Sequence, residues 1–369
     1  MADEATGLGY RLARDIAASG PLTVADYMER CLFDPEQGYY TNAEVFGAKG
    51  DFTTAPEISQ MFGELLGLWA ADIWLRLGRP SPFVLAELGP GRGTMMADAL
   101  RATRIVPGFH DAMRVVLVEA SEGLRARQAE TLAVYPIEWR ANVAELPPGP
   151  LVALANEFFD ALPIRQFVRT PDGLTERMVG IDANGRLAWG LRTGARLDAE
   201  TEARLLRQPP GTILEICPAG LAIAQMLAER VANGGGAVLA IDYGHAGGFG
   251  DTFQALRSHA FDDPLAHPGA ADLTAHVDFG ALARTARAAG ARAFGPIPQG
   301  TLLERLGLAR RAERLKRDAA PETRAAIDAA AARLTAREAR DMGELFKALA
   351  IVHPDMHEIA GFAPDEEAA

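Results

Sequence analysis

Cysteine is almost missing from this chain: Cys31 and Cys217 are the two present in 369 residues. They lie far apart, lack metal-ligand spacing and read as reduced thiols. No apolar run reaches the length needed to span a bilayer. The stretch Met1 to Tyr10 carries Asp3 and Glu4 and no basic region followed by an apolar segment, so it does not read as a signal peptide. It is also neither rich in arginine nor poor in acids, as a mitochondrial presequence should be. These absences lead us to expect a cytoplasmic protein of bacterial design. Basic charge is in deficit as well, with 37 Lys and Arg against 49 Asp and Glu and a net charge of −12. That balance argues against a general nucleic-acid binder, DNA above all, and it demotes RNA. Internal repeats and long low-complexity tracts are absent. What remains, 49% hydrophobic and 23% charged residues, is ordinary for a soluble enzyme of one elaborated domain or two.

The most informative stretch is Phe83-Val84-Leu85-Ala86-Glu87-Leu88-Gly89-Pro90-Gly91-Arg92-Gly93-Thr94. It reads as a buried strand with an acidic end, a glycine turn, and a helix starting at Thr94. Glycines at alternate positions let the backbone turn sharply and approach a ligand closely. The helix start offers free N–H groups to an anionic part of that ligand. The dinucleotide fingerprint would need its third glycine where Thr94 stands. Glu87 would repel a pyrophosphate but suits a ligand with an amino group. Glu-x-Gly-x-Gly-x-Gly resembles the first motif of class I S-adenosylmethionine-dependent methyltransferases. Downstream, Met113 to Glu119 reads as a second strand with an acidic end, and Glu119 can accept hydrogen bonds from both ribose hydroxyls. A short strand near Pro136 to Arg140 leads to Asn142 and Val143, where such enzymes place an adenine contact.

Strands at Phe83 to Leu88, Arg114 to Glu119, Ile137 to Trp139, Leu151 to Asn156, Ala237 to Ile241 and Leu345 to Val352 alternate with helices. The alternation predicts an α/β fold, a doubly wound, mostly parallel sheet. We expect seven strands in a Rossmann-like methyltransferase arrangement. A helical lead-in occupies residues 1–80, with a strongly apolar helix from Ile58 to Leu77. The first half of the core is expected at 81–163 and an inserted β element at 164–210. The second half follows at 211–369, with a loop insertion at 244–275. Turns at Pro171-Asp172-Gly173 and Asn184-Gly185 signal hairpins in the β element.

Two further strand ends carry polar clusters at the edge where open α/β sheets bind ligands. One is Asn156-Glu157-Phe158-Phe159-Asp160; Asp160 could merely cap a helix, whereas Glu157 has no such simple role. The other is Asp242-Tyr243-Gly244-His245, in which His245 is either an acid/base or a solvated loop residue. His259, His267 and His276 share a loop with Asp262, Asp263, Asp272 and Asp278. Their spacing matches no standard zinc or calcium pattern, so no metal is expected.

Several segments together resemble the MidA-like family of class I methyltransferases, which includes a mitochondrial complex I assembly factor. They are GDFTTAPEISQMFGE (Gly50 to Glu64), ELGPGRGT (Glu87 to Thr94), NEFFDALP (Asn156 to Pro163), DYGH (Asp242 to His245), GDTFQALRSH (Gly250 to His259) and PGAADLTAHVDF (Pro268 to Phe279). The family carries a bulkier residue where Ala55 stands. The resemblance implies a protein arginine methyltransferase that uses S-adenosyl-L-methionine. Its substrate would be a protein, a complex I subunit of the catalytic arm, with no membrane insertion and with room for a homodimer. It further implies cofactor binding by Glu87, Gly89, Gly91, Gly93, Thr94, Glu119, Asn142, Val143 and Asn156. The segment Gly50 to Glu57, with Thr53 and Thr54, would close over the cofactor. Glu157 and Asp160 would clamp the guanidinium, a poor nucleophile while cationic. Asp242 or His245 would take the released proton. The rivals are a methyltransferase acting on a small molecule, RNA or a side-chain amide, and a cofactor-binding assembly chaperone using the basic stretch Glu304 to Arg317. Asn156-Glu157-Phe158-Phe159 is superficially similar to the Asn-Pro-Pro-Tyr motif of amide and adenine amine methyltransferases, but both prolines are missing.

Overall fold

The computed structural model describes residues 7–41 and 54–368. The chain divides into two compact units, and the division cuts across the linear segments laid out above. One unit holds the described part of residues 1–52 with Asp160–Gly220 and Gly247–His276; the other holds the described parts of 53–159 and 277–369 with Leu221–Ala246.

The second unit is built on a sheet whose main path has seven strands. They are β1 (Phe83–Leu88), β2 (Met113–Val118), β3 (Ile137–Arg140), β4 (Leu151–Asn156), β5 (Gly236–His245), β6 (Arg292–Pro298) and β7 (Phe346–Val352). Across the sheet they run β6-β7-β5-β4-β1-β2-β3. Neighbours from β5 to β3 are parallel, and β7 lies antiparallel between β5 and β6. Every residue of β1 and β4 is buried, as expected of parallel strands covered on both faces. The register sets Glu87 opposite Leu117 on one side and Leu154 on the other.

Strand β6 escaped the sequence reading. Gly295-Pro296 interrupts its apolar run, and the pairing with β7 slips between Phe294 and Ile297. A proline is tolerated there because β6 is an edge of the sheet path, with an isolated bridge from Phe294 to Glu367 besides its pairing with β7. The long apolar helix also differs from expectation. It breaks at Ser59, giving a single turn Ala55–Ile58 and then α1 (Gln60–Arg76), whose N-cap is the Ser59 hydroxyl accepting from the Met61 N–H.

Helix α1 packs on α2 (Thr94–Thr103) at backbone contact. A Cβ on Gly67 would stand 2.5 Å from Ala99 Cα, and one on Gly63 2.8 Å from the Met95 carbonyl oxygen. The two glycines therefore fix how near α2, and the glycine turn before it, approaches the core. The basic stretch from Glu304 falls in helices Gln299–Leu306 and Leu308–Lys316. Leu302, Leu303 and Leu308 are buried in the core. Arg311 grips the buried Glu64 through two contacts of 2.6 and 2.7 Å, and Arg101 reaches the same carboxylate at 2.9 Å. The leucines of this stretch thus pack on the core, while Arg310, Arg314 and Arg317 stay exposed.

The first unit has a separate apolar core around Tyr27, Met28, Leu32, Ile164, Val179 and Leu273. The expected β element appears as strands Arg165–Thr170, Gly173–Ile181 and Leu187–Thr193, joined by Ile213–Ile216 and Leu22–Thr23. Gln254–Arg257, Ala260–Asp262 and Asp272–Thr274 form a small antiparallel sheet.

The α1–α2 contact yields a stability prediction. Gly67→Val forces the helices apart and should cost about 1–3 kcal/mol. Gly190→Ala, with no atom within 4 Å of the added carbon, should stay within about 0.5 kcal/mol. Urea denaturation of the two variants distinguishes the sites.

Candidate active site

Strand β1 ends in three left-handed glycines, Gly89 at φ 61°, Gly91 at 52° and Gly93 at 80°. Residues with a Cβ rarely adopt this region. A Cβ on Gly89 would meet Phe158 Cδ2 at 3.0 Å, whereas one on Gly91 would meet no described atom within 4 Å. Gly91 thus leaves a cradle that a side chain would fill. Helix α2 starts immediately after Gly93, and no side chain caps it.

Glu87 is 2% exposed, and its Oε2 has no hydrogen-bond partner among the described residues. Burial pushes its carboxyl up to about 8, against the opposing pull of the Met96 N–H. A buried acceptor left unmade is costly, and an ammonium group is the partner that would relieve both the orphaned oxygen and the raised pKa. On the same face, two residues beyond Leu154, Asn156 is 8% exposed, and its Oδ1 also lacks a partner among the described residues.

Glu119 follows β2. Its Oε1 accepts from the Ser121 N–H at 2.8 Å and its Oε2 from Gln128 Nε2 at 3.2 Å. Burial raises its pKa, and those donors lower it. Arg125 donates to its backbone carbonyl at 2.8 and 2.6 Å. Asn142 precedes a single 3-10 turn, Val143–Glu145, and donates to Glu145 at 2.6 Å; Val143 is buried.

The loop after β4 is held from beneath. Asp242, fully buried in β5, accepts from Phe158 N–H at 3.2 Å and Phe159 N–H at 3.1 Å through Oδ2, and from Tyr243 N–H at 2.9 Å through Oδ1. Above this cage Glu157 sits at φ 51°. A left-handed glutamate costs free energy and persists only when its surroundings impose it. Its Oε1 accepts from Asn156 Nδ2 at 3.0 Å and from the Ala55 N–H at 3.3 Å.

The turn Ala55–Ile58 therefore joins two parts of the site. At its other end Glu57 accepts from Thr94 Oγ1 at 2.7 Å and pairs with Arg92 at 3.5 Å. Thr54 caps the turn with its backbone carbonyl. Thr53 and the rest of Gly50 to Phe52 lie outside the described residues.

The core unit thus brings together Glu87, the three glycines, Thr94, Glu119, Asn156 and Glu157. His245 ends β5 opposite Asp278. Asp242, expected as a proton acceptor, faces inward onto three backbone N–H groups, a geometry suited to holding the loop. Asp160 belongs to the other unit, where it is buried and its backbone carbonyl accepts from the Ala275 N–H at 3.1 Å. In that unit Tyr40 donates to Asp272 at 3.0 Å. Burial, with the charges of Asp272 and Asp160, raises the Tyr40 phenol well above its ordinary value. Of the loop histidines, His267 pairs with Asp262 at 2.7 Å. Among the described residues no cluster is disposed to hold a metal ion. Sequence reasoning gave no site role to Gln128 or to Trp139, which it placed only at a strand end. It placed Glu57 in a matched segment without giving it a partner.

Glu87 carries a pH prediction. Its ordinary value is 4.5 and its folded value about 8, so the folded chain binds the extra proton. The resulting stabilisation is full below 4.5 and is lost as pH rises through about 8. Glu87→Gln should flatten that loss, seen as a smaller change in urea midpoint between pH 5 and 8.5 than in the parent protein.

Residues 65–297 match the S-adenosyl-L-methionine-dependent methyltransferase family Methyltransf_28. "Protein arginine methyltransferase NDUFAF7, mitochondrial" from mouse is 39% identical over 83% of this chain and 75% of its own length. The human protein of that name is 40% identical over 79% and 71%. A Burkholderia thailandensis protein crystallised with S-adenosyl-homocysteine superposes with a TM-score of 0.84 at 30% identity, covering 96% of this chain and 94% of that one. The mitochondrial names of these relatives correct the expectation of a cytoplasmic location, which rested on composition and the first ten residues. With the glycine turn, the orphaned Glu87 oxygen and Glu119 all fitting that cofactor, the chain belongs to the S-adenosyl-L-methionine-dependent methyltransferase family.

Proposed function

We propose that this protein methylates an arginine side-chain nitrogen of a protein substrate, a complex I subunit of the catalytic arm, during assembly. The observation that carries the reading is Glu157, a carboxylate fixed in a left-handed backbone at the end of β4, beside Asn156 and the glycine turn. The name of the relatives, protein arginine methyltransferase, points the same way.

The cofactor, held by Glu87, the glycine turn, Glu119 and Asn156, supplies an electrophilic sulfonium methyl group. Everything else falls to the chain. A guanidinium is planar, cationic and a poor nucleophile. Glu157 binds it through charge-assisted hydrogen bonds, localises its charge and aims one nitrogen along the line of displacement. Asp242 keeps Glu157 in place by tying down the next two backbone N–H groups. The Ala55–Ile58 turn, held to Thr94 by Glu57, shields this end of the sheet from water. His245, at the end of β5, is the group we assign to take the proton. A neutral amide or adenine nitrogen would gain little from such a carboxylate, which disfavours those acceptors.

The test is methyl transfer from tritiated S-adenosylmethionine into lysate of a strain lacking this gene, with mass spectrometry of the labelled protein. Label on arginine of one respiratory subunit supports the reading, and label on RNA or on small molecules sinks it. Glu157→Gln should lower kcat by about 100-fold or more while S-adenosyl-homocysteine binding stays near that of the parent. Unchanged turnover removes Glu157 from the mechanism.

A further inference from the structure

Gln128 lies in α3 (Glu122–Thr131) and is fully buried. Its side chain makes three hydrogen bonds, each to a different strand end. Nε2 donates to the Gly91 carbonyl at 2.8 Å and to Glu119 Oε2 at 3.2 Å. Oε1 accepts from Trp139 Nε1, on β3, at 2.9 Å. An indole N–H can only donate, so the amide has one orientation that satisfies all three partners. Both Nε2 hydrogens then end on acceptors. The contact is also steric, because a Cβ on Gly93 would lie 3.6 Å from both Gln128 Cα and Cγ.

We propose that Gln128 is a positioning residue for the cofactor, an amide clip that sets the Gly91 turn and the Glu119 carboxylate at a fixed spacing matched to a ligand's ribose diol. The proposal rests on the reading of the glycine turn and Glu119 as the cofactor site. Glu119 has two oxygens; Ser121 fixes one and Gln128 the other. Their combined effect holds the carboxylate plane, leaving its remaining lone pairs for a pair of hydroxyls. A carboxylate at position 128 would turn two donors into acceptors, facing Glu119 and the Gly91 carbonyl. Glu119 is the ionisable group among its hydrogen-bond partners, and the Arg125 guanidinium is already engaged by the Glu119 backbone carbonyl. Two carboxylates so close share one proton at low pH and repel once both ionise.

The experiment is calorimetric binding of S-adenosyl-homocysteine from pH 5.5 to 8, with the apo thermal midpoint as a folding control. Gln128→Glu should bind about tenfold or more weakly at pH 8 and recover toward the parent as pH falls. Gln128→Met, of similar length but without polar atoms, should lose affinity equally at every pH. It keeps the proposal testable if the charged variant does not fold. A parent protein that fails to bind the ligand refutes the cofactor reading itself. A parent that binds, together with Gln128→Met of unchanged affinity or Gln128→Glu with the parent's pH profile, overturns the clip.

Discussion

The polar architecture of the core unit depends on one carboxylate that faces away from solvent. Asp242 is fully buried and meets three backbone N–H groups. A buried carboxylate is tolerable when donors surround it, and two of the three here belong to the loop that carries Glu157. The arrangement works in both directions. The loop relieves the buried charge, and the charge keeps the loop in a conformation a glutamate would otherwise leave. Removing the carboxylate would strand three N–H groups and free the strained residue to relax together. The cost of a left-handed Glu157 is therefore offset by the contacts Asp242 makes with the two residues that follow it.

A similar economy runs through the rest of the site. Several side chains and close contacts here tie elements together. Glu57 ties the Ala55–Ile58 turn to Thr94 and Arg92, and Gln128 ties three strand ends. The Gly63 and Gly67 contacts set α2 against α1 at backbone distance. A site that must align a methyl group with a nitrogen needs its parts placed to fractions of an ångström. Short polar ties between rigid elements give that precision better than a flexible loop would.

The glycine turn and the acidic strand ends were legible in the sequence because their signals are local. Gly89, Gly91 and Gly93 stand at alternate positions, and Glu87 and Glu119 close apolar runs. Strand β6 was not legible, since Gly295 and Pro296 break the pattern on which a strand is recognised. The parts of Gln128, Glu57 and Asp242 were hidden for a different reason. Most of their partners lie between 9 and 84 residues away, and only the folded core unit brings them together. Asp160 was read together with Glu157 as one clamp; it falls in the other unit, where its backbone carbonyl accepts from the Ala275 N–H.

The position of β7 has a consequence for biosynthesis. This strand, Phe346–Val352, fills the slot between β5 and β6, although both of its neighbours leave the ribosome earlier. Until it arrives, a nascent chain carries an open seam in mid-sheet, with the backbone groups of two apolar strands unpaired. Such edges invite pairing with other chains. Chains halted before Phe346 would retain every candidate cofactor residue and still lack the strand that closes the sheet, so they call for chaperone protection or disposal.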